Sequence, residues 1–333
     1  MSKIKPSKGA PYARIMGVGG YRPTRVVPNE VILETIDSSD EWIRSRSGIA
    51  TRHWASDEET VSMMSVEAAG KAIADAGIDP DQIGGVIVST VSHFKQTPAV
   101  ATLIAHELGT ENAAAFDISA ACAGFCHGVA MANDMVTGGS AGHVLVIGVE
   151  RLSDITDTTD RGTAFIFADG AGAAVVGPSD TPGIGPVVWG SQGEHFDHIR
   201  QREDWRDVLA AEAPLMPHLT MQGNPVFRWA SFAMAKIGQE ALDRAGITAD
   251  ELDCFVPHQA NMRIIDALAR SMKLPDTVRI ARDIAEMGNT SAASIPLALA
   301  RMRADGEARS GDTALFIAFG AGLAYAAQVV VVP

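Results

Sequence analysis

A cysteine set among small residues is the feature of this sequence that most clearly suggests chemistry. Cys122 follows a short strand and precedes a helix expected from about Ala123 to Val136. At a helix N-terminus the free N–H groups and the macrodipole favour a thiolate and lower the thiol pKa. Free cysteines also occur as small buried hydrophobic residues. Cys122 alone is therefore consistent with either a nucleophile or a core residue.

Two further polar side chains lie at predicted strand-to-helix turns. His258 follows an apolar strand that ends at Pro257, with a helix expected from about Ala260, and Asn289 lies in the small-residue turn 287–294. In open α/β sheets, ligands bind beyond the carboxyl ends of the strands. We therefore expect Cys122, His258 and Asn289 to share one site.

An internal repeat links these positions. Residues 68–90 and 237–259 each contain a helix ending in Ala-Gly-Ile, a polar turn and an apolar strand, and the two Ala-Gly-Ile motifs are 245 − 76 = 169 residues apart. The same shift places 143–148 on 312–317 and Cys122 on Ser291. A long, fixed offset indicates duplication of a domain-sized unit. The repeat predicts that Cys122 and Asn289 occupy nearly equivalent turns.

The strands between these turns are almost wholly apolar, which is typical of sheets buried on both faces by helices. The sequence predicts a flexible tail over 1–11 and two similar α/β halves, 12–180 and 181–333, that meet near the Gly/Pro-rich stretch 177–186. Two polar inserts, 28–60 and 193–224, interrupt the repeat and are expected to be functional loops.

Charge and composition exclude several classes of protein. The formal net charge of the 333 residues is −13, which disfavours generic binding to nucleic acid or anionic membrane. No run reaches the ~18 apolar residues of a membrane span, and the start lacks a signal-peptide core. The three cysteines, Cys122, Cys126 and Cys254, show no zinc spacing and no disulfide framework. A reducing, cytoplasmic location is expected.

Longer segments around these residues resemble a known family. They are 37–42, 117–125, 160–163, 256–263, 288–296 and 319–323. From about Tyr12 to its end the chain resembles β-ketoacyl-acyl-carrier-protein synthase III. The resemblance implies an α/β, thiolase-like fold, with two duplicated halves in an α-β-α-β-α layered arrangement. It also implies decarboxylative condensation of an acyl-CoA starter with malonyl-acyl-carrier protein, the step that initiates fatty-acid synthesis.

The family's catalytic roles fall on residues already singled out. Cys122 would carry the acyl group. His258 Nε2 and the Asn289 amide would face the oxyanion that forms when malonyl loses CO₂. The backbone N–H groups of Cys122 and Ala321 would form a second oxyanion hole, although the family often has glycine at position 321. No metal or redox cofactor is implied, and acyl-CoA is a substrate.

The resemblance also assigns binding residues. Trp42 and Arg161 would stack on adenine and Arg46 would meet phosphate. The pantetheine arm and acyl site would involve Phe227, Ala260, Asn261 and Phe319. Docking of an acidic carrier protein would use one side of a helix bearing Arg263, Arg270 and Lys273. A buried Trp42 and a merely solvated basic face remain the alternatives.

Position 97 bears on the choice of starter. Straight-chain-specific members of the family place a bulky Phe from the neighbouring subunit against the acyl pocket, and Thr97 stands at that position here. The smaller side chain predicts broadened use of branched acyl-CoA. The family works as a homodimer, and the apolar segment 99–108 is expected near the interface.

Other functions stay open on the sequence alone. A starter-unit ketosynthase or acyltransferase of a polyketide pathway shares the fold and the cysteine. A chalcone-synthase-like enzyme is disfavoured by the segment FGAGL at 319–323, and HMG-CoA synthase by Ala and Ser before Cys122. A non-catalytic subunit would lack the cysteine. The glycines at 17–20 do not complete a dinucleotide fingerprint.

Overall fold

The computed structural model describes residues 4–110 and 112–333, so the first three residues of the expected tail lie outside it. Fourteen strands are described: β1 (Tyr12–Tyr21), β2 (Arg25–Pro28), β3 (Thr51–Trp54), β4 (Ile83–Ser89), β5 (Ala114–Ile118), β6 (His143–Arg151), β7 (Asp169–Ser179), β8 (Val188–Ser191), β9 (Ile199–Gln201), β10 (Leu219–Met221), β11 (Cys254–Pro257), β12 (Arg279–Ile280), β13 (Thr313–Gly320) and β14 (Ala324–Val331). The described helices are α1 (Asn29–Ile32), α2 (Asp40–Ser47), α3 (Val61–Ala76), α4 (Val100–Glu107), α5 (Gly124–Gly138), α6 (Trp205–Ala210), α7 (Gly223–Ala245), α8 (Met262–Ser271), α9 (Ile284–Met287) and α10 (Ser294–Ala304).

Two five-stranded sheets repeat one topology. The first has the order β1-β7-β6-β4-β5, and the second, read from its matching edge, β8-β14-β13-β11-β12. In both, the two pairings nearest the last strand are parallel and the two nearest the first strand are antiparallel. The first sheet uses strands that end by Ser179, and the second uses strands that begin at Val188. The duplication inferred from the sequence is therefore present in the strand order.

Helices separate and cover the sheets. One apolar cluster joins α5 and α10 to the inward faces of both sheets, with Phe125, Val146, Ile295 and Phe316 among its members. A second cluster packs α3 and α4 on the outer face of the first sheet, and a third packs α7 and α8 on the outer face of the second. Burial of each large apolar side chain contributes about 1.5–3 kcal/mol. The result is the expected α-β-α-β-α order of layers.

A glycine lets the central layer approach the first sheet closely. A Cβ added to Gly148 on β6 would lie 2.2 Å from the carbonyl oxygen of Ala292. The backbone just before α10 therefore rests directly on the strand. This contact brings the second half's turn onto a strand of the first half.

The inserts and the last residues of the tail pack against this core. The first insert forms α1, α2 and β3, and the second forms the β9–β10 hairpin and α6. At the end of the expected tail, the Ala10 N–H donates to the carbonyl oxygen of Val136 on α5 at 3.2 Å. Among the described residues, no helix is long and apolar enough to cross a membrane.

Candidate active site

Cys122 lies in a short 3-10 turn, Ala121–Ala123, which we call the Cys turn. The turn leads directly into α5, and Ala121 has the unusual positive φ of 45°. Such a conformation is uncommon for a residue with a Cβ and marks a sharp change of direction. The turn and helix expected around Cys122 are therefore confirmed.

The Cys turn packs against the end of β13. A Cβ on Gly320 would lie 2.6 Å from the Cys122 nitrogen, so only glycine permits this approach. The next residue, Ala321, begins a 3-10 turn at 321–323. Within the described residues, neither the Cys122 N–H nor the Ala321 N–H donates to a backbone carbonyl. These two donors lie beside the thiol, where the family resemblance predicted an oxyanion hole, and the Cys122 N–H also interacts with its own sulfur.

The thiol itself differs from the expectation. Burial raises the pKa of Cys122 to about 12, and the negative charge of Glu150 adds to the rise, while the Ser291 hydroxyl lowers it. The predicted lowering by the helix N-terminus was wrong for the resting site because desolvation outweighs it. The resting cysteine is a thiol, and its proton must leave before it can act as a nucleophile.

His258 lies just after β11 and is 3% exposed. Its backbone N–H donates to the carbonyl oxygen of Ile317 at 2.8 Å, and Phe319 packs edge-on against its ring at 5.7 Å. Burial lowers the pKa of His258 to about 3, so the imidazole is neutral at physiological pH. A neutral ring has one N–H donor and one acceptor nitrogen.

Ser294 determines which nitrogen carries that proton. Its Oγ lies 2.7 Å from His258 Nδ1 and 3.3 Å from the Gln259 backbone nitrogen, from which it accepts a hydrogen bond. The Ser294 hydroxyl proton is then free to donate to Nδ1. Nε2 must carry the ring proton in that arrangement, so it is a neutral donor.

Asn289 is fixed in a similar way. It is 5% exposed, and its side-chain Oδ1 accepts from the Ser291 N–H at 2.9 Å. Its backbone joins the loop before β7 through Ile166 and Ala168. Since Oδ1 is already occupied, the Nδ2 group is the part of the amide left to donate to a ligand.

These contacts bring the three predicted catalytic residues into one neighbourhood. Cys122 lies beside Gly320, and the preceding Phe319 packs on His258. On the other side, Ser291 interacts with the thiol and bonds to Asn289. The turn that holds Ser291, Ser291–Ala293, has a positive φ of 49° at its first residue and is called here the Ser turn.

A cavity of about 540 Å³ opens beside the thiol. Cys122, Ser291 and Ala321 line it, whereas His258 and Asn289 do not. One wall comes from the loop after β4 and includes Thr90, Val91, His93, Phe94, Lys95 and Gln96. The opposite wall comes from the second insert and includes Ile199, Arg200, Gln201, Trp205, Met216, Pro217 and Leu219. Thr97 is exposed at the end of the first wall.

The residues expected to bind nucleotide meet on the surface. The Arg161 guanidinium lies 4.7 Å from the centre of the Trp42 ring, and that of Arg46 lies 5.9 Å away. Trp42 is half-buried and packs edge-on against Phe165. An adenine placed between Trp42 and Arg161 requires the arginine to move outward, because the guanidinium occupies that space.

Asn261 has local bonds that the sequence did not indicate. Its Oδ1 caps α8 by accepting from the Arg263 N–H at 2.9 Å, and its Nδ2 donates to the Arg46 carbonyl oxygen at 2.9 Å. The residue therefore joins α8 to α2. Ala260 and Phe227 lie nearby, both half-buried against the α7–α8 cluster.

The basic surface differs in one respect from the prediction. Arg263 and Arg270 lie on α8, but Lys273 does not, because the helix ends at Ser271 and Lys273 has a φ of 53°. The expected single helical face was therefore wrong for Lys273. Arg263 covers the Phe227 ring at 4.8 Å. Arg270 and Lys273 are exposed and form no ion pair within the described residues.

Ser294 and Glu150 were not identified from the sequence, and Ser291 was named only as the repeat counterpart of Cys122. The two serines lie within the matching segment 288–296, but serine is too common to stand out there. Glu150 offered a clearer signal, because a charged residue near the end of a buried apolar strand is unusual.

Comparisons with known proteins agree with this geometry. The sequence models of 3-oxoacyl-[acyl-carrier-protein] synthase III and of its C-terminal part match residues 116–193 and 242–332. The β-ketoacyl-[acyl-carrier-protein] synthase III of Streptomyces glaucescens is 67% identical over 333 residues, covering 100% of both chains. The mycobacterial β-ketoacyl-[acyl-carrier-protein] synthase III of Mycobacterium marinum is 54% identical, covering 100% of this chain and 99% of the relative.

Two solved structures resemble the chain closely. The priming β-ketosynthase of the R1128 polyketide biosynthetic pathway is 46% identical, with a TM-score of 0.97 over 100% of this chain and 99% of its own. The 3-oxoacyl-[acyl-carrier-protein] synthase III of Aquifex aeolicus is 35% identical, with a TM-score of 0.88 over 96% of this chain and 99% of its own. The expected thiolase-like fold is confirmed, and the chain belongs to the β-ketoacyl-acyl-carrier-protein synthase III family of condensing enzymes.

Proposed function

We propose that the protein joins an acyl-CoA starter to malonyl-acyl-carrier protein with loss of CO₂, the reaction that initiates fatty-acid biosynthesis. The observation that carries this proposal is the Cys122 thiol, which opens on a cavity and has beside it two backbone N–H groups that donate to no backbone carbonyl among the described residues. The 67% identity to the Streptomyces glaucescens enzyme supports this function over a polyketide starter-unit role, since the priming ketosynthase is 46% identical.

In the first half-reaction, Cys122 attacks the thioester carbonyl and takes the acyl group from CoA. Negative charge develops on the carbonyl oxygen as the tetrahedral intermediate forms. The N–H groups of Cys122 and Ala321 donate to that oxygen, and preorganised donors of this kind lower the barrier because they need not reorient. A backbone donor at Ala321 serves as well as one at glycine.

In the second half-reaction, the malonyl group loses CO₂ and leaves an enolate. The Nε2 proton of neutral His258 and the Asn289 Nδ2 group donate to the enolate oxygen. The orientation of both donors by Ser294 and by the Ser291 N–H supports these roles. The enolate carbon then attacks the acyl-Cys122 carbonyl and releases the cysteine sulfur. This chemistry requires no resident metal or redox cofactor.

The substrate is proposed to enter past the surface formed by α2, α7 and α8. Trp42 and Arg161 would hold adenine and Arg46 would meet phosphate, with Arg161 swinging away from the indole ring. Phe227 and Ala260 belong to the same apolar cluster as Phe319, which packs against His258, and Asn261 bonds to the Arg46 carbonyl oxygen on α2. These contacts support a pantetheine path along these residues.

The carrier protein is proposed to dock on α8. Arg263, Arg270 and Lys273 give a cationic surface on a chain of net charge −13. The exposed, unpaired charges of Arg270 and Lys273 support this assignment, because acyl-carrier proteins are acidic and rim charges steer association.

A homodimer is proposed from the edge of the first sheet. The edge strand β5 lies beside α4, where Leu103 is 46% exposed, and Phe94 in the preceding loop is 53% exposed. Unpaired edges and exposed apolar side chains are commonly covered by a partner. Thr97 of one subunit would then border the acyl pocket of the other and leave room for branched starters. A cytoplasmic location is proposed with this assignment.

The test is a condensation assay with acetyl-CoA, isobutyryl-CoA and malonyl-acyl-carrier protein. We expect 3-oxoacyl-carrier protein and CO₂ to form in equal amounts with both starters. Failure to form either product with any acyl-CoA would refute the proposed activity. An isobutyryl-CoA kcat/KM far below that of acetyl-CoA would refute only the proposed role of Thr97.

A further inference from the structure

Glu150 is a buried carboxylate that the proposed reaction does not yet use. It lies on β6, where residues alternate between the outer cluster and the central layer: Leu145, Ile147 and Val149 face outward, and Val146 faces inward. By the same alternation, Glu150 points into the central layer toward the Ser turn. Its relative exposure is 0%.

Only one of its two carboxylate oxygens is satisfied. Oε2 accepts from Ser92 Oγ at 2.6 Å, from the Val91 N–H at 3.1 Å and from Thr90 Oγ1 at 3.2 Å. Oε1 is buried and has no hydrogen-bond partner within the described residues. An unpaired buried carboxylate oxygen is costly, which suggests that it has a transient partner.

Ser291 lies between this carboxylate and the nucleophile. Its hydroxyl interacts with both the Cys122 thiol and the Glu150 carboxylate and lowers the pKa of each. Ser291 has a positive φ of 49°, and Gly148 allows the backbone of the Ser turn to approach β6 closely. The Ser291 hydroxyl therefore lies within reach of both the Glu150 carboxylate and the Cys122 thiol.

We propose that Ser291 and Glu150 form a proton relay that removes the Cys122 proton for acyl transfer and returns it to the departing CoA sulfur. The inference rests on Cys122 being the acylated nucleophile. The Ser291 hydroxyl gives its proton to Glu150 Oε1 and takes the proton from Sγ as the sulfur lone pair bonds to the acyl carbon. When the bond between that carbon and the CoA sulfur breaks, the electron pair stays on CoA and the proton returns along the same route.

Electrostatics and the neighbouring histidine support this assignment. A charged Glu150 beside a thiolate is unfavourable, and transfer of the proton to Glu150 avoids having two negative charges together. Burial also raises the pKa of Glu150 to about 7, which suits a base at neutral pH. His258 cannot serve as the base instead. In the arrangement described above its Nδ1 accepts from Ser294 and its Nε2 carries the ring proton, so neither nitrogen is left to take the thiol proton.

Few other ionisable groups face the relay. The Cys122 thiol faces it from the Cys turn, and His93 and Lys95 line the same cavity from the loop after β4. Arg151 turns away to Asp154 at 3.0 Å. On β7, Asp169 accepts from Ser153 and Ala55 instead.

The test compares Glu150→Gln, Ser291→Ala and the double variant with wild type. The glutamine side chain of the first variant can keep an oxygen toward Ser92 and place its amide group where Oε1 has no partner. Iodoacetamide alkylation of Cys122 is measured across pH, with peptide mapping to separate it from Cys126 and Cys254. Acetylation by acetyl-CoA is measured in parallel. The control variant Asp169→Asn removes a different buried carboxylate.

The relay predicts that, in both single variants, the rates of Cys122 alkylation and acetylation at neutral pH fall about 100-fold, the lower end of a general-base effect. The double variant should be no slower than the slower single variant, and the rise in rate near neutral pH should disappear from all three. Asp169→Asn should keep the wild-type pH profile. Equal or faster alkylation of Glu150→Gln would overturn the relay, as would an unchanged Ser291→Ala. Wild-type alkylation without acetylation would instead refute Cys122 as the acyl carrier.

Discussion

The two halves of the molecule present the same turn with different chemistry. The Cys turn and the Ser turn each begin with a residue of positive φ, Ala121 and Ser291, which are 291 − 121 = 170 residues apart. Each leads into a central helix, and each packs on a strand of the other half. The Cys turn presents the thiol of its second residue, whereas the Ser turn presents the hydroxyl of its first residue.

The strands beneath the turns differ in the same way. A shift of 320 − 150 = 170 places Glu150 of β6 on Gly320 of β13, and both face the central layer. Gly320 makes room for the Cys122 backbone, whereas Glu150 meets the Ser turn with a carboxylate. The two halves thus share one backbone frame, and they differ in placing a cysteine at one turn and a serine at the other.

The largest effect on activity should come from replacing the Cys122 thiol, the group that distinguishes the Cys turn from the Ser turn. Cys122→Ser keeps the shape of the Cys turn but replaces the sulfur with a hydroxyl, which is a far weaker nucleophile at neutral pH. We expect condensation to fall at least about 1000-fold with the fold unchanged. The 3-oxoacyl product formed per minute checks this, with circular dichroism as the folding control. Full activity in this variant would refute the mechanism.

Next in size is the loss of the donor beside the second turn. Asn289→Ala removes the amide that we propose faces the enolate, and loss of one such donor costs about 100- to 1000-fold in rate. Malonyl decarboxylation should fall by that factor while self-acylation of Cys122 changes little. Asn133→Ala, at a half-buried position on α5, is the matched control. Equal loss of both half-reactions would contradict the division of roles between the turns.

The difference between Glu150 and Gly320 predicts a pH-dependent stability. Glu150 binds its proton more tightly in the folded chain, with its pKa raised from 4.5 to about 7, so its contribution to stability is lost as pH rises through that range. Between about pH 4.5 and pH 7, the wild-type free energy of unfolding should fall by about 3 kcal/mol relative to that of Glu150→Gln. Urea unfolding at several pH values measures this. A difference independent of pH would show that the pKa of Glu150 is not raised.

The loops after the equivalent strands β4 and β11 also diverge. The second carries His258 at its start, while the first is longer and carries Thr97. Thr97→Phe should reduce the ratio of kcat/KM for isobutyryl-CoA to that for acetyl-CoA by about 10-fold, because the larger ring would exclude the branch methyl group from the acyl pocket. The exposed Thr181→Phe is the control. An unchanged ratio would remove Thr97 from the acyl pocket.

The smallest expected effect concerns the helices that follow those loops. The first-half helix α4 exposes Leu103, whereas the second-half helix α8 exposes Arg270. Arg270→Ala should raise KM for malonyl-acyl-carrier protein about 3-fold at low salt and less at high salt, as expected for a rim charge. Arg309→Ala removes one exposed charge elsewhere. The same rise in that variant would exclude a specific docking role for α8.

Much of the fold was predictable because the repeat is strong. The apolar strands, the helix after Cys122 and the duplicated order of elements follow from hydrophobic patterns and one long offset. The offset itself needed refinement. It is 169 for the strands β4 and β11, where the inward-facing residues Ile87 and Val256 match, but 170 for the turns that follow. The second half therefore has one more residue than the first between the strand and the turn, and aligning the halves with a single fixed offset does not reveal it.

The positions of the candidate site residues were predictable from the sequence, whereas their protonation was not. Cys122, His258 and Asn289 stood at recognisable turns, yet burial outweighs the helix terminus and leaves Cys122 a thiol. Desolvation depends on contacts across both halves, which local sequence does not report. The prediction that Lys273 lies on the helix was wrong for a simpler reason, because α8 ends two residues before it.

The most direct test of the account is mass spectrometry of the wild-type protein after mixing with acetyl-CoA. We predict one added acetyl group, located on the peptide that contains Cys122, and its disappearance when malonyl-acyl-carrier protein is added. Absence of an adduct, or an adduct on Cys126 or Cys254 that persists in Cys122→Ser, would contradict the assignment of the Cys turn as the acyl carrier.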